Sequence, residues 1–68
     1  MTTNPIMKPQ QYLAALDQLG YSPYGAAPLL GISLRQSHRY ASGEQIVAEP
    51  IRRLLFMYLR HGIPAELR

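Results

Sequence analysis

Apolar side chains recur at helical spacing in the chain, and the stretches that carry them are bounded by proline, serine or glycine. Pro9 suits the first turn of a helix because it lacks the amide hydrogen that a helix start leaves unbonded, and Gly20 follows as a stop. Ser22 before Pro23 repeats this signal and predicts a second helix that ends at Leu30. The apolar positions of the first helix are Tyr12, Leu13, Leu16 and Leu19.

Two further helices are predicted by similar boundary signals. Ser33 lies three residues before Gln36, the capping-box spacing in which each side chain bonds to the other residue's backbone amide, and Gly43 marks a stop. Pro50 opens the longest helix, which ends before Gly62. Its buried stripe has helical spacing: Ile51, Leu54, Leu55 and Tyr58. Residues 64–68 have room for one more helical turn.

The segments outside these helices include an N-terminal arm and one longer loop. Residues 1–8 show no apolar periodicity, and we expect a flexible arm there. Residues 44–49 form a predicted ordered loop, in which both Ile46 and Val47 pack against the core. No stretch alternates as a strand does, so the predicted fold is an all-α bundle of four to five helices in one domain, residues 9–68.

Length and charge narrow the expected partners. The chain has 68 residues, a net charge of +3 and seven basic residues, nearly all of them arginine. A domain of this length buries roughly 60% of its unfolded surface, so a partner subunit often completes the core. Arginine is the side chain best shaped for phosphate and guanine contacts, so the charge balance favours an anionic partner. The longest apolar run, residues 54–59, is far shorter than the roughly 20 residues of a membrane-spanning helix.

The residue inventory disfavours several function classes. The chain has no cysteine, two histidines at unhelpful spacing, no paired carboxylates and no glycine-rich phosphate loop. We therefore expect no enzyme activity, no cofactor and no metal site. The N-terminus lacks the layout of a secretory signal, which favours a cytoplasmic protein. A membrane-surface role for residues 50–61 is a poor fit because the charged face of that helix is narrow.

The stretch from Gly25 to Gly43 carries the strongest functional signal. It reads GAAPLLGISLRQSHRYASG, with paired alanines in one short helix, a glycine at the corner, a serine cap and a basic second helix. This pattern resembles the helix-turn-helix of the lambda-repressor-like family, in particular Cro and phage-repressor regulators of the xenobiotic-response-element type. The resemblance covers roughly residues 12–59 and implies a bundle whose third helix enters the DNA major groove. Two positions depart from the family pattern: Pro28 lies inside the second helix, and Ser37 stands where the family places a buried aliphatic residue.

The third helix carries the residues expected to read base pairs. Arg35 and Arg39 are four residues apart, so they share a helix face, and Gln36 lies beside them. Arginine can bond both acceptors of guanine, and glutamine both groups of adenine. The alternative to base reading is that these polar side chains form an ordinary solvent-exposed helix face. Leu34 either contacts a thymine methyl group or belongs to the core, and Tyr40 matches the family's buried aromatic residue.

Other residues are expected to contact the phosphate backbone, because helix ends and hydroxyls approach it in the docking pose that the resemblance implies. These residues are Ser22, Tyr24, Ser33, His38, Ser42, Arg52 and Arg53. The last two are cations at a helix N-terminus, where the helix dipole disfavours them. A phosphate, the neighbouring Glu49 or an acid across a dimer interface would each explain them.

A dimer surface is predicted on the last helix. Phe56, Met57 and Leu59 widen its apolar stripe beyond one face, more than a small monomer needs. The chain is then expected to be a transcriptional regulator, a repressor or controller, that binds an inverted-repeat operator as a homodimer. The alternative is a protein-interaction module on the same scaffold, an antiactivator or antirepressor that binds another regulator. Pro28, Ser37 and the wide apolar band motivate that alternative.

Overall fold

The computed structural model describes residues 6–67, which form four α-helices and a short 3-10 helix, with no strand among them. The helices are α1 (Pro9–Leu19), α2 (Pro23–Leu30), α3 (Leu34–Ser42) and α4 (Glu49–His61), followed by the 3-10 helix Ala65–Leu67. The predicted all-α fold is confirmed. The fourth helix begins one residue earlier than predicted, so that Pro50 occupies its second position.

Serine side chains start α2 and α3 as the sequence predicts. The Ser22 hydroxyl accepts a hydrogen bond from the Gly25 amide at 3.1 Å, and the Ser33 hydroxyl accepts one from the Gln36 amide at 3.0 Å. Each bond satisfies one of the amides that a helix start leaves without an intrahelical partner. Within residues 6–67, the reciprocal side-chain bond expected from Gln36 is not formed.

Pro28 lies within α2 and does not end it. The helix runs on to Leu30, and Pro28 itself is exposed to solvent. Its ring removes the amide that would bond to the carbonyl of Tyr24, one turn earlier. The end of α2 is nevertheless closed, because the Ile32 amide donates to the Ala27 carbonyl at 3.0 Å. The proline therefore removes one internal hydrogen bond of α2, but the corner that leads to α3 is still formed.

The four helices bury one apolar cluster. Helix α3 packs against α1 and α2, and α4 also packs against α1 and α2. Leu30 is buried and Ile32 half-buried on either side of the corner, as expected for residues that fill the wedge between α2 and α3. The buried cluster consists of Met7, Tyr12, Leu16, Ala26, Leu29, Leu30, Tyr40, Val47, Leu55 and Tyr58.

At three positions the burial differs from what the sequence pattern suggests. Met7 is only 6% exposed, so the flexible arm predicted for residues 1–8 does not extend to it, while residues 1–5 lie outside the described range. Leu13 is 41% exposed because it projects to the side of the face formed by Tyr12 and Leu16. Ile46 is 62% exposed, whereas its neighbour Val47 is buried. Consecutive side chains in a segment outside the helices need not point to the same side.

Gly43 follows the last residue of α3 and packs against Pro9, the first residue of α1. Its φ of 86° lies in the left-handed region, and a Cβ at this position would lie 2.9 Å from Cγ of Pro9. Gly31 at the corner has a φ of 72°, with no atom within 4 Å of such a Cβ. Both positions favour glycine through backbone conformation, but only Gly43 is also restricted by packing.

We expect Gly43→Ala to destabilise the protein more than Gly31→Ala. Left-handed backbone costs an alanine about 1–2 kcal/mol at either position. The close approach to Pro9 adds to this cost at Gly43 only, because the proline ring must move. Urea denaturation of the two variants measures the difference in the free energy of unfolding. Equal losses would show that Pro9 moves freely and that the contact is unimportant.

Candidate nucleic-acid interface

A buried chain of hydroxyl groups holds α3 against α1 and α2. The Ser37 hydroxyl donates to the Pro23 carbonyl at 2.7 Å, and the Tyr12 hydroxyl lies 2.7 Å from Ser37 Oγ. Because serine has a single hydroxyl hydrogen and a carbonyl cannot donate, Tyr12 must be the donor to Ser37. Burial raises the pKa of the Tyr12 hydroxyl above its ordinary value, which keeps this donor protonated.

The packing around these hydroxyls defines the inner face of α3. Ser37 and Tyr40 are buried, as expected for Tyr40, and the Tyr40 ring packs edge to face on Tyr12 with centroids 5.6 Å apart. Ser37 therefore occupies a core position as a polar residue that is fully hydrogen-bonded. Its departure from the family pattern is compensated by Tyr12 and Pro23, which the sequence analysis did not anticipate.

The opposite face of α3 is cationic. Arg35, Arg39 and Ser42 project from the side away from Ser37 and Tyr40, since a helix turns by 3.6 residues. Arg35 is exposed and Arg39 is half-buried, and within residues 6–67 neither guanidinium forms a salt bridge. The nine residues of α3 include no acidic side chain. The face therefore offers guanidinium donors that no carboxylate in the described structure occupies.

The flanks of this face hold the other side chains predicted to contact DNA. Gln36 is half-buried on one flank, while His38 is exposed on the other. Leu34 is 54% exposed, so of the two interpretations offered for it the core assignment is wrong. An exposed leucine beside Arg35 is compatible with contact to a thymine methyl group. Arg35 and Arg39 thus lie opposite the core, while Leu34 and Gln36 lie on the two flanks of that face. Gln36 is half-buried, as Arg39 is.

Hydroxyl groups lie at the ends of the helices. Ser22 and Ser33 use their oxygens to accept the capping bonds, which leaves the hydroxyl hydrogen of each free to donate. Tyr24, in the first turn of α2, is 63% exposed. Ser42 donates to the Arg39 carbonyl at 3.3 Å and accepts from the Glu44 amide at 3.4 Å, so it closes the end of α3. These are groups of the kind that hold register on a phosphate backbone.

Glu49 accounts for the two arginines at the start of α4. Its carboxylate accepts two hydrogen bonds from Arg52, and Arg53 Nε donates to the same carboxylate at 2.9 Å. The Arg52 guanidinium also lies over the Phe56 ring, 5.2 Å from its centroid, and only 11% of its side chain is exposed. Of the three explanations offered for Arg52 and Arg53, the structure shows the pairing with Glu49. Arg53 remains largely exposed to solvent.

We expect this cluster to make stability depend on pH. Hydrogen bonds from Arg52, and then from Arg53, hold the pKa of Glu49 at about 2, although partial desolvation opposes them. A carboxyl whose pKa is lower in the folded than in the unfolded state stabilises the fold above its ordinary pKa, and this contribution is lost as the pH falls towards 2. Thermal unfolding of wild type and Glu49→Gln at several pH values measures this contribution. The difference in Tm should shrink between about pH 6 and about pH 2.5, and a constant difference would contradict the pairing.

The three side chains predicted to form a dimer surface face two different surfaces. Phe56 and Leu59 line an apolar groove of about 280 Å³ between α1 and α4, together with Ile6 and Ala14. Met57 instead lies in a shallow depression of about 450 Å³ on the outer side of α4, between Arg53 and Arg60, with Phe56 at the border of both. The sequence analysis predicted a single surface for these side chains because residues 56, 57 and 59 are close in sequence.

Among residues 6–67, no group of histidine, aspartate and glutamate side chains is placed to hold a metal ion. Nor does any helix in that range combine the length and the apolar character needed to cross a membrane.

Comparison with known proteins identifies no relative. The chain matches no family model, no curated protein sequence and no solved structure. The resemblance to the lambda-repressor-like family therefore depends on residues 25–43 and their neighbours alone.

Proposed function

We propose that this protein is a sequence-specific DNA-binding transcriptional regulator of the helix-turn-helix type. The observation that carries the proposal is the outward face of α3, opposite the face that packs in the core. Arg35 is exposed and Arg39 half-buried there, and neither has an acidic partner among residues 6–67. A helix of nine residues is about 13 Å long, and the major groove admits a helix of this kind.

In the proposed complex, α3 lies in the major groove and supplies the base contacts. Arg35 and Arg39 each donate to the two acceptors of a guanine, Gln36 bonds to an adjacent adenine, and Leu34 contacts a thymine methyl group. The backbone contacts that set the register come from hydroxyls, a histidine and helix N-termini. Their residues are Ser22, Tyr24, Ser33, His38 and Ser42.

Arg52 and Arg53 lie outside the proposed backbone contacts because both are bonded to Glu49. Arg52 is paired with Glu49 and covers Phe56, so a phosphate would have to displace both interactions. Arg53 donates to the same carboxylate. Without DNA, Glu49 pairs with Arg52 through two hydrogen bonds and with Arg53 through Nε alone. Both cations lie on α4, whereas the proposed interface depends on α2 and α3.

The proposed regulator binds an inverted repeat as a homodimer. Its twofold axis would place two copies of α3 in successive major grooves, about 34–36 Å apart. The groove between α1 and α4 is the proposed contact between the copies, because it is apolar and is bordered by the exposed side chains of Ile6 and Phe56. A regulator of this kind acts in the cytoplasm, at the DNA that it controls.

We expect Ile6→Asp to weaken this dimer. Ile6 is 62% exposed at the rim of the groove, so a charge there is solvated in the monomer but desolvated in the dimer. Sedimentation equilibrium should show a dissociation constant raised by about tenfold or more relative to wild type. The exposed residue Ile46 provides a matched control, Ile46→Asp, which should leave self-association unchanged. Unchanged self-association of Ile6→Asp would place the dimer surface elsewhere.

The experiment that tests the proposed function is selection from a random duplex library, followed by binding of the selected duplex at increasing salt. A DNA reader should enrich a near-palindromic site and lose affinity steeply as salt rises, because each neutralised phosphate releases counterions. The competing function, a protein-interaction module, is favoured by the exposed Phe56 and Met57. It predicts no enriched duplex sequence, and that result would refute the proposal.

A further inference from the structure

The outer side of α4 carries a second surface, which the proposed DNA contact does not use. Met57 lines the depression on that side and is 55% exposed. Arg53 precedes it by four residues, and Arg60 and His61 follow it by three and four, so all of them lie on adjoining positions of the helix surface. Phe56 adds an exposed aromatic ring at the border. We call the surface formed by Arg53, Phe56, Met57, Arg60 and His61 the outer α4 face.

The outer α4 face has an excess of positive charge. Glu49 is the one acidic residue of α4, and its carboxylate is already bonded to Arg52 and to Nε of Arg53. Arg53 uses only Nε in that bond, and 71% of its side chain is exposed. Within residues 6–67, no salt bridge connects Arg60 or His61 to an acid. A ligand that brings carboxylates would therefore meet cations with unused donors.

Apolar and cationic side chains alternate on this face, and that mixture distinguishes between classes of ligand. A phosphate backbone would satisfy Arg53 and Arg60, but it would leave Met57 and Phe56 facing a polar and hydrated surface. A protein segment with apolar and acidic side chains would cover both kinds of group. Methionine adapts its shape to varied apolar partners, which suits such a surface.

A second copy of this chain fits the face poorly. In a twofold dimer of two such helices, a parallel arrangement places Arg53 beside Arg53 of the partner subunit. An antiparallel arrangement places Arg53 beside Arg60 of the partner subunit. Like charges meet in both cases, and desolvating them at an interface is unfavourable. The apolar groove between α1 and α4, which includes Ile6 and Ala14, has a single cation in its lining, Arg52, and that cation is already paired with Glu49.

We propose that the outer α4 face binds an acidic amphipathic segment of another protein. Apolar side chains of that segment cover Met57 and Phe56, and its carboxylates accept hydrogen bonds from the guanidinium groups of Arg53 and Arg60. This surface goes beyond the proposed DNA contact, since it would connect a DNA-bound regulator to a partner protein through a different helix.

The test begins with selection of peptides from a random display library on the immobilised full-length protein. The selected peptides should be rich in aspartate and glutamate and carry at least one large apolar residue. Labelled synthetic copies should bind wild type with a dissociation constant of about 1–100 µM, as measured by fluorescence anisotropy. Arg60→Glu and Met57→Ser should each weaken binding by about tenfold or more. Both residues are exposed, so circular dichroism should show unchanged folding.

Arg35→Glu is the matched control, because it makes the same charge change on an exposed residue of α3. It should leave peptide affinity within about twofold while it abolishes binding to the selected duplex. Peptides without acidic residues, peptides insensitive to Arg60→Glu, or a failure to select any peptide would overturn the proposal. Two further results would also overturn the proposal. Dissociation of a dimer by Met57→Glu would assign the outer α4 face to a second copy of the chain. A loss of duplex affinity in Arg60→Glu equal to that in Arg35→Glu would assign the face to DNA.

Discussion

Replacing Arg35 and Arg39 together with alanine is expected to lower the affinity for the selected duplex by about 2–6 kcal/mol, roughly 30-fold to more than 10,000-fold. Each arginine that bonds to both acceptors of a guanine contributes about 1–3 kcal/mol of discrimination, and the sum assumes that the two act independently. Neither guanidinium has an acidic partner within residues 6–67, so the double variant should fold as wild type does. Titration of the labelled duplex at fixed salt measures the loss.

The control for this variant removes the same charge at another site. Arg53→Ala/Arg60→Ala also lowers the net charge by two, from exposed positions on α4 rather than on α3. If α3 reads base pairs, the control should weaken binding to all duplexes slightly and equally, whereas the α3 variant should also lose its preference for the selected sequence. Equal losses from both variants would mean that binding depends on overall charge, and base reading by α3 would be ruled out.

Ser37→Val is expected to lower the free energy of unfolding by about 2–6 kcal/mol. Loss of the hydroxyl leaves the buried Tyr12 hydroxyl without its acceptor, which costs about 1–3 kcal/mol. The larger side chain must also fit a position with 0% exposure, and overpacking of a core costs about 1–3 kcal/mol more. A domain of this length has a total stability of about 3–10 kcal/mol, so much of the variant should be unfolded.

Urea denaturation of a double-mutant cycle tests the hydroxyl chain itself. Tyr12→Phe and Ser37→Ala each disrupt the bond between the two side chains, and the double variant should be less destabilised than the sum of the two single variants by about 0.5–3 kcal/mol. Additive losses would show that the bond contributes no coupling. An increase in stability of Ser37→Val would show that an aliphatic residue fits this position better, as in the family that the sequence resembles.

The boundaries of the helices were predictable because local chemistry determines them. Pro9 and Gly20 bound α1, while Ser22 and Gly31 bound α2. These residues act through their own backbone preferences and through side-chain bonds to amides within one turn, so sequence alone contains the relevant information. The start of α4 at Glu49 was displaced by one residue, which is the usual uncertainty of a helix end.

The details of the core were not predictable because they depend on contacts between distant residues. The bond between Tyr12 and Ser37 joins positions 25 residues apart, so local sequence does not identify the partner. Burial of Met7 likewise depends on where the chain meets the rest of the fold. A polar residue on the inner face of an amphipathic helix was the one available signal that a buried partner exists.

The candidate site was predictable in part. The four-residue spacing of Arg35 and Arg39 placed them on one face, and that depends only on helix geometry. The exposure of Leu34 and the separation of Met57 from Leu59 depend on how the helices pack, so the sequence left the first open and merged the second. Glu49 was one of three explanations for Arg52, and the structure shows its bonds directly.

The most direct test of DNA reading by α3 is an NMR titration of isotope-labelled protein with the selected duplex, following the Nε–Hε resonances of the arginine side chains. We predict that the resonances of Arg35 and Arg39 shift on binding and become protected from exchange with water. Those of Arg60, on the outer α4 face, should remain unchanged. Unchanged Arg35 and Arg39 resonances at saturating duplex, or shifts confined to α4, would contradict DNA reading by α3.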